Sequence, residues 1–169
     1  MGLSGSQMKW LKCFHLLFAA GWAGGAMSLA VLHFLRFRGA EVGQHLHGID
    51  LASHIIDMWV VVCLGAIGCL VTGLIYSIFT SWGFFRHRWV CVKWIVTAYG
   101  VLSGTFFLGP WETNMVSISS QLGADSLTDG KYLSSMYLNF WLGVVQMALL
   151  IFVIFISALK PWKRRGSGG

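Results

Sequence analysis

Residues 132–159 read YLSSMYLNFWLGVVQMALLIFVIFISAL, a stretch without a single charged side chain. About 20 consecutive apolar residues make a helix long enough to cross a hydrocarbon core of about 30 Å, and this run is longer than that. Three further runs share its character, at about residues 10–35, 51–79 and 89–110. In lipid every backbone polar group must be paired within the protein, which leaves helices or a closed barrel. The runs are too long and too uniformly apolar for barrel strands, whose residues alternate. The expected fold is all-α: a single integral membrane domain, residues 1–165, built as a bundle of four transmembrane helices.

Composition agrees. The chain has 169 residues, of which 56% are hydrophobic and 11% charged, against about 25% charged in soluble domains. Mean hydropathy is +0.70. A soluble globular domain and a disordered chain are both excluded. Nine Trp and twelve Phe suit the two bilayer interfaces, where aromatic rings collect.

Net charge is +6. The bases stand in short clusters beside the apolar runs: Lys9 and Lys12, Arg36 and Arg38, Arg86 and Arg88, then Lys160, Lys163, Arg164 and Arg165. That pattern sets topology and contacts anionic lipid; it is not the basic face of a nucleic-acid-binding protein. The segment 111–131 reads as a polar, acidic connection, with Glu112, Asp125 and Asp129 against Lys131. With an even number of spans and basic N-terminus, second connection and C-terminus, both termini are expected in the cytoplasm. Arg36 and Arg38, in the first connection, argue the other way, offset by Glu41 and Asp50. The first apolar run is longer than a signal-peptide core and reads as an uncleaved helix. Residues 166–169, Gly-Ser-Gly-Gly, read as an appended tail.

Cys13, Cys63, Cys69 and Cys91 lie in apolar runs with no CxxC pair, so they are expected to be buried small hydrophobes. Gly21 and Gly25, Ala20 and Gly24, Gly65, Cys69 and Gly73, and Gly100 and Gly104 have small-xxx-small spacing. Such residues let helices approach closely, or leave room for a flat cofactor. No hydrolase motif, phosphate loop or internal repeat is present, and no ring of like residues suggests a channel filter.

Ionisable residues inside spans are costly and point to function. They fall at two levels. His15 and Lys93 each lie about 8–9 Å inside the cytoplasmic end by the helical rise. His54 and Asp57, one turn apart, enter from the opposite side, with His33 and Glu112 near them. His15 on a glycine-rich helix is a candidate haem ligand. Lys93 either snorkels to the interface, pairs with a cofactor propionate, or ligates a metal. At the outer level His33, His54, Asp57 and Glu112 are candidate metal ligands, with His45 and His47 a weak HxH signal. His54 with Asp57 is either a ligand with its supporting carboxylate or a pair tying the second span to the outer connections.

The opening Lys9-Trp-Leu-Lys-Cys-Phe-His15-Leu-Leu-Phe-Ala-Ala-Gly-Trp22-Ala-Gly24-Gly25 resembles the first helix of the CopD and HemJ group of small membrane proteins. There a K-x-x-H opening is followed seven residues later by Trp and then by small residues. Arg88-Trp-Val-Cys-Val-Lys93-Trp is similar to the HemJ-type helix that carries an intramembrane lysine. The resemblance implies haem b, with His15 as its ligand and Lys93 as a partner, and oxidation of protoporphyrinogen IX. The CopD side implies copper handling. It also implies a bacterial inner membrane.

The leading expectation is a membrane haem b protein for redox chemistry. His15, Lys93, Trp22 and His54 would bind cofactor, and His15, His54, His33, Asp57 and Glu112 would ligate metal. One haem fits porphyrin or quinone oxidation; two stacked haems would conduct electrons across the bilayer. The partners expected are the lipid bilayer, a quinone or porphyrin, and a second copy of the chain. The alternatives are a copper or other metal permease using the outer histidines, and a structural accessory subunit.

Overall fold

The computed structural model describes residues 3–39, 43–79 and 88–159. The tail, Glu41 and the basic residues Arg86, Lys160, Lys163, Arg164 and Arg165 lie outside them. Four helical rods are long and apolar enough to cross a membrane: α1, Gly5–Phe37; α2, Gly43–Phe79; α3, Arg88–Thr128; and α4, Gly130–Leu159. No strand occurs among the described residues. The apolar side chains point outward all round the bundle; Trp59, Ile95, Phe106 and Phe155 are examples. A contiguous apolar exterior of this kind is at home in lipid, not water.

Local sequence sets the helix ends. Ser4 caps α1: its hydroxyl accepts from Gln7 N–H, while the Gln7 side chain accepts from Ser4 N–H, a reciprocal capping box. Asp129 caps α4, its carboxylate accepting from Tyr132 N–H at 2.8 Å. Gly123, at φ +55°, ends the α-helical part of α3; a side chain there would be strained.

The rods run up, down, up, down. α1 and α2 pack most closely, because glycines remove the side chains that would hold them apart. A Cβ on Gly65 would stand 2.7 Å from the Trp22 backbone, and one on Gly25 would stand 2.6 Å from Val61. Trp22, Val61 and Ala66 form the buried centre of this seam. The close-packing reading of the small residues therefore holds at Gly25 and Gly65. At Gly73 and Gly104 a Cβ would meet nothing within 4 Å.

Two stretches widen to π-helical hydrogen bonding, Ile56–Ile67 in α2 and Gly104–Leu108 in α3. The second has a clear cause. Pro110 has no N–H to give and its ring crowds the carbonyl four residues back, and Gly109 N–H turns to the carbonyl of Gly104 instead.

The helices outrun the apolar runs. Residues 111–131, read from sequence as a polar connection, are helical from Gly109 to Leu122 and continue as a tighter 3-10 turn over Gly123–Thr128. The reason is amphipathicity. Glu112, Met115 and Ser119 are buried at helical spacing while the other faces stay polar. The start of α2 behaves likewise, with Leu46, Asp50 and Ser53 buried. Together they enclose a second core of Leu46, Met115, Tyr132 and Met136 at the end of the bundle away from the termini, the far end. The end nearer the termini holds a third core of Trp89, Val90 and Ile156. The four cysteines are free; Cys13 and Cys63 face outward instead of being buried, a position that a small apolar thiol tolerates in lipid.

Candidate functional site

Between the four rods lies a cavity of about 820 Å³, within the usual range for small-molecule and cofactor sites. Its lining runs along α1 from Lys9, Lys12 and His15 to His33. His15 to His33 alone is about 27 Å of helical rise. Lys93 and Trp89 line the same near end, and Asp57, Glu112 and Asn139 the far end, with Trp22 between. Sequence reading placed His15 level with Lys93, and His33 level with Asp57 and Glu112. The fold brings both levels into one cavity, which the sequence did not indicate.

At the near end, His15 is held by one side-chain hydrogen bond. Its Nδ1 lies 2.7 Å from Thr72 Oγ1, and that hydroxyl donates to the carbonyl of Gly68 at 2.6 Å. A hydroxyl has one proton to give. With it directed at the carbonyl, Thr72 accepts from His15, so the imidazole proton sits on Nδ1 and Nε2 keeps its lone pair. A metal-ligating histidine is usually oriented by such a bond through its other nitrogen. Tyr76 packs edge-on against the ring, centroids 5.8 Å apart. The Lys93 ammonium lies 5.0 Å from the centroid of the Trp89 ring, a cation–π distance.

The far end is a buried polar network linking all four rods. Arg36 Nε donates to Asp50 Oδ1 at 2.7 Å, and Tyr132 OH donates to Asp50 Oδ2 at 3.1 Å. Arg36 Nη1 donates to His33 Nδ1 at 3.2 Å. Arginine only donates, so His33 accepts there and gives its proton from Nε2 to Asn139 Oδ1, 2.7 Å away. Asn139 Nδ2 in turn donates to the carbonyl of Leu108 on α3 at 3.2 Å. Each of these five side chains belongs to a residue that is 5% exposed or less. Three buried polar atoms at this end have no hydrogen-bond partner: Arg36 Nη2, Glu112 Oε2 and Ser126 Oγ.

This geometry revises the outer metal set. His33 has Asn139 Oδ1 at 2.7 Å from Nε2 and Arg36 Nη1 at 3.2 and 3.3 Å from its two ring nitrogens, so it is tied into the polar network. His54 reaches across to Glu112, Nδ1 to Oε2 at 3.8 Å, instead of serving only as the partner of Asp57. Asp57 is buried, 8% exposed, and lines both the main cavity and a second one of about 670 Å³ between α2 and α3, which His54 also lines. His45 is exposed, while His47 pairs with Ser119 Oγ at 3.3 Å; the two do not converge. Among the described residues no three His, Cys, Asp or Glu side chains come together as metal ligands.

Sequence reading passed over Arg36, Asp50 and Tyr132. In the sequence Arg36 and Asp50 fall between two apolar runs, where charges ordinarily set topology. The available signal was spacing: Arg36 follows His33 by three residues and shares its helix face. The fold and the site define a four-helix bundle of transmembrane dimensions, with a long cavity that is basic at one end and acidic at the other. No family model, curated protein or solved structure matches the chain.

Proposed function

We propose that the chain is a membrane-embedded haem b protein of redox chemistry, with His15 as an axial ligand. The observation that carries this reading is the setting of His15: an imidazole held through Nδ1 by Thr72, in the wall of a cavity of about 820 Å³. The surroundings fit the group. Lys9, Lys12 and Lys93 line the same end of the cavity and would pair with propionates, and Trp22 would flank the macrocycle. The haem iron would supply the electron chemistry, while the bundle sets ligation, burial and access. With His33 committed to its network, the reading is one haem at the near end, with a quinone or porphyrin as the redox partner.

Both termini would face the cytoplasm of a bacterial inner membrane. Lys9, Lys12 and Arg88 all lie towards the near end. Arg36 no longer argues against this orientation, because it is buried against Asp50 at 2.7 Å and does not act as a free surface charge. The copper reading gains no support among the described residues, where no imidazole cluster forms.

The test is the visible spectrum of the purified protein, oxidised and then dithionite-reduced, with a pyridine haemochrome count. The expected result is a Soret band, reduced α and β bands and one haem per chain. His15→Ala should lose the haem and remain folded, whereas His54→Ala should keep it. A wild-type protein that stays colourless after haem is supplied during expression overturns the reading.

A further inference from the structure

The far end of the cavity carries more acid than base. Arg36, on α1, is engaged by Asp50 of α2 at 2.7 Å and by His33 at 3.2 Å. Asp50 also accepts from Tyr132 of α4. These groups pair with one another, leaving only Arg36 Nη2 of the guanidinium without a hydrogen-bond partner. Asp57 of α2 and Glu112 of α3 remain, buried at 8% and 3% exposure, both lining the cavity and linked through His54, which lies one turn before Asp57 on α2 and reaches Glu112. Glu112 Oε2 has no hydrogen-bond partner. Among the described residues its ion-pair contact is His54 Nδ1 at 3.8 Å, on a side chain that is 31% exposed.

Two ionised carboxylates in a dry interior are strongly unfavourable, each at several kcal/mol even after relaxation. Neighbouring carboxyl groups resolve this by keeping a proton between them. A protonated carboxyl also gains an O–H donor, which an unpartnered carboxylate oxygen lacks. His54 approaches Glu112 at 3.8 Å and is itself 31% exposed.

We propose that Asp57 and Glu112 together hold an exchangeable proton at the far end of the cavity, and that His54 is its route to the surface. The site is separate from His15 and serves a different ligand, the proton.

Infrared spectroscopy of the full chain in lipid or detergent at neutral pH tests this without any haem. The expected spectrum contains the C=O stretch of a protonated carboxylic acid, which moves down in D2O. The band should be lost or displaced in both Glu112→Gln and Asp57→Asn, isosteric changes that keep the packing. In His54→Ala the band should remain, with its shift in D2O slowed at least several-fold. No protonated-carboxyl band, or one that both carboxamide variants leave untouched, overturns the proton pair. An unaltered exchange rate in His54→Ala overturns the route. Because haem is not involved, a failed haem reading and a failed proton site give different results.

Discussion

The two ends of the bundle treat polar side chains in opposite ways. At the far end Arg36, Asp50, His33, Asn139 and Tyr132 spend nearly all of their hydrogen-bonding capacity on one another, buried and drawn from three of the four rods. At the near end His15 is half-buried and has one side-chain hydrogen bond, to Thr72. Inside a membrane a closed network ties helices together, since each group's alternative is an unsatisfied polar atom in hydrocarbon. An imidazole with one nitrogen anchored, in the wall of a cavity, is instead available to something that enters. The same residue type, histidine, is structural in one place and a candidate ligand in the other. The difference lies in whether the second nitrogen is engaged.

The largest expected effect breaks the far end. Arg36→Ala leaves Asp50 as a buried charge without its partner and should destabilise the fold by about 3–5 kcal/mol. Unfolding in detergent measures this. Replacing both partners with apolar residues, Arg36→Met with Asp50→Leu, should recover much of the loss, because no uncompensated charge then remains. A loss under 1 kcal/mol for Arg36→Ala would mean that the network does not hold this end.

A smaller effect contrasts glycines of the seam with those of the cavity. Gly65→Ala puts a methyl group 2.7 Å from the Trp22 backbone and should cost about 1–3 kcal/mol, as overpacking does. At Gly73 nothing lies within 4 Å of the added methyl, so Gly73→Ala should be neutral or slightly stabilising. Equal effects at the two sites would remove the distinction between packed and open glycines.

The finest change sharpens the near end. Thr72→Val keeps the side-chain shape but deletes the hydroxyl that fixes the His15 tautomer. The fold should stand, and haem affinity in a titration should fall by about 10- to 100-fold, the usual effect of losing an orienting partner. An unchanged affinity would detach Thr72 from the ligand role of His15.

Much of the bundle was legible because hydropathy over a long window is a local property. The four crossings needed no knowledge of neighbours. Their true ends were not legible, since Met115 and Ser119 in α3, like Leu46 and Asp50 in α2, are buried by a partner helix and not by lipid. The two polar levels followed from counting residues along each helix, which fixes depth. Counting does not fix azimuth. His33 and Glu112 were placed at the right level, but their separate fates, one engaged at both nitrogens and one with an unpartnered oxygen, depend on which way each helix is turned.

The sequence by itself therefore determined a helical membrane bundle, the number of its crossings and the depth of its polar groups, because apolar length and helical rise depend only on the chain. Tertiary structure alone decided that Arg36 pairs with Asp50 across 2.7 Å and that His15 Nδ1 meets Thr72 Oγ1 at 2.7 Å. It also decided that one cavity joins the two levels. Those facts depend on how the rods rotate and pack against each other, and that is fixed by contacts between residues far apart in the chain.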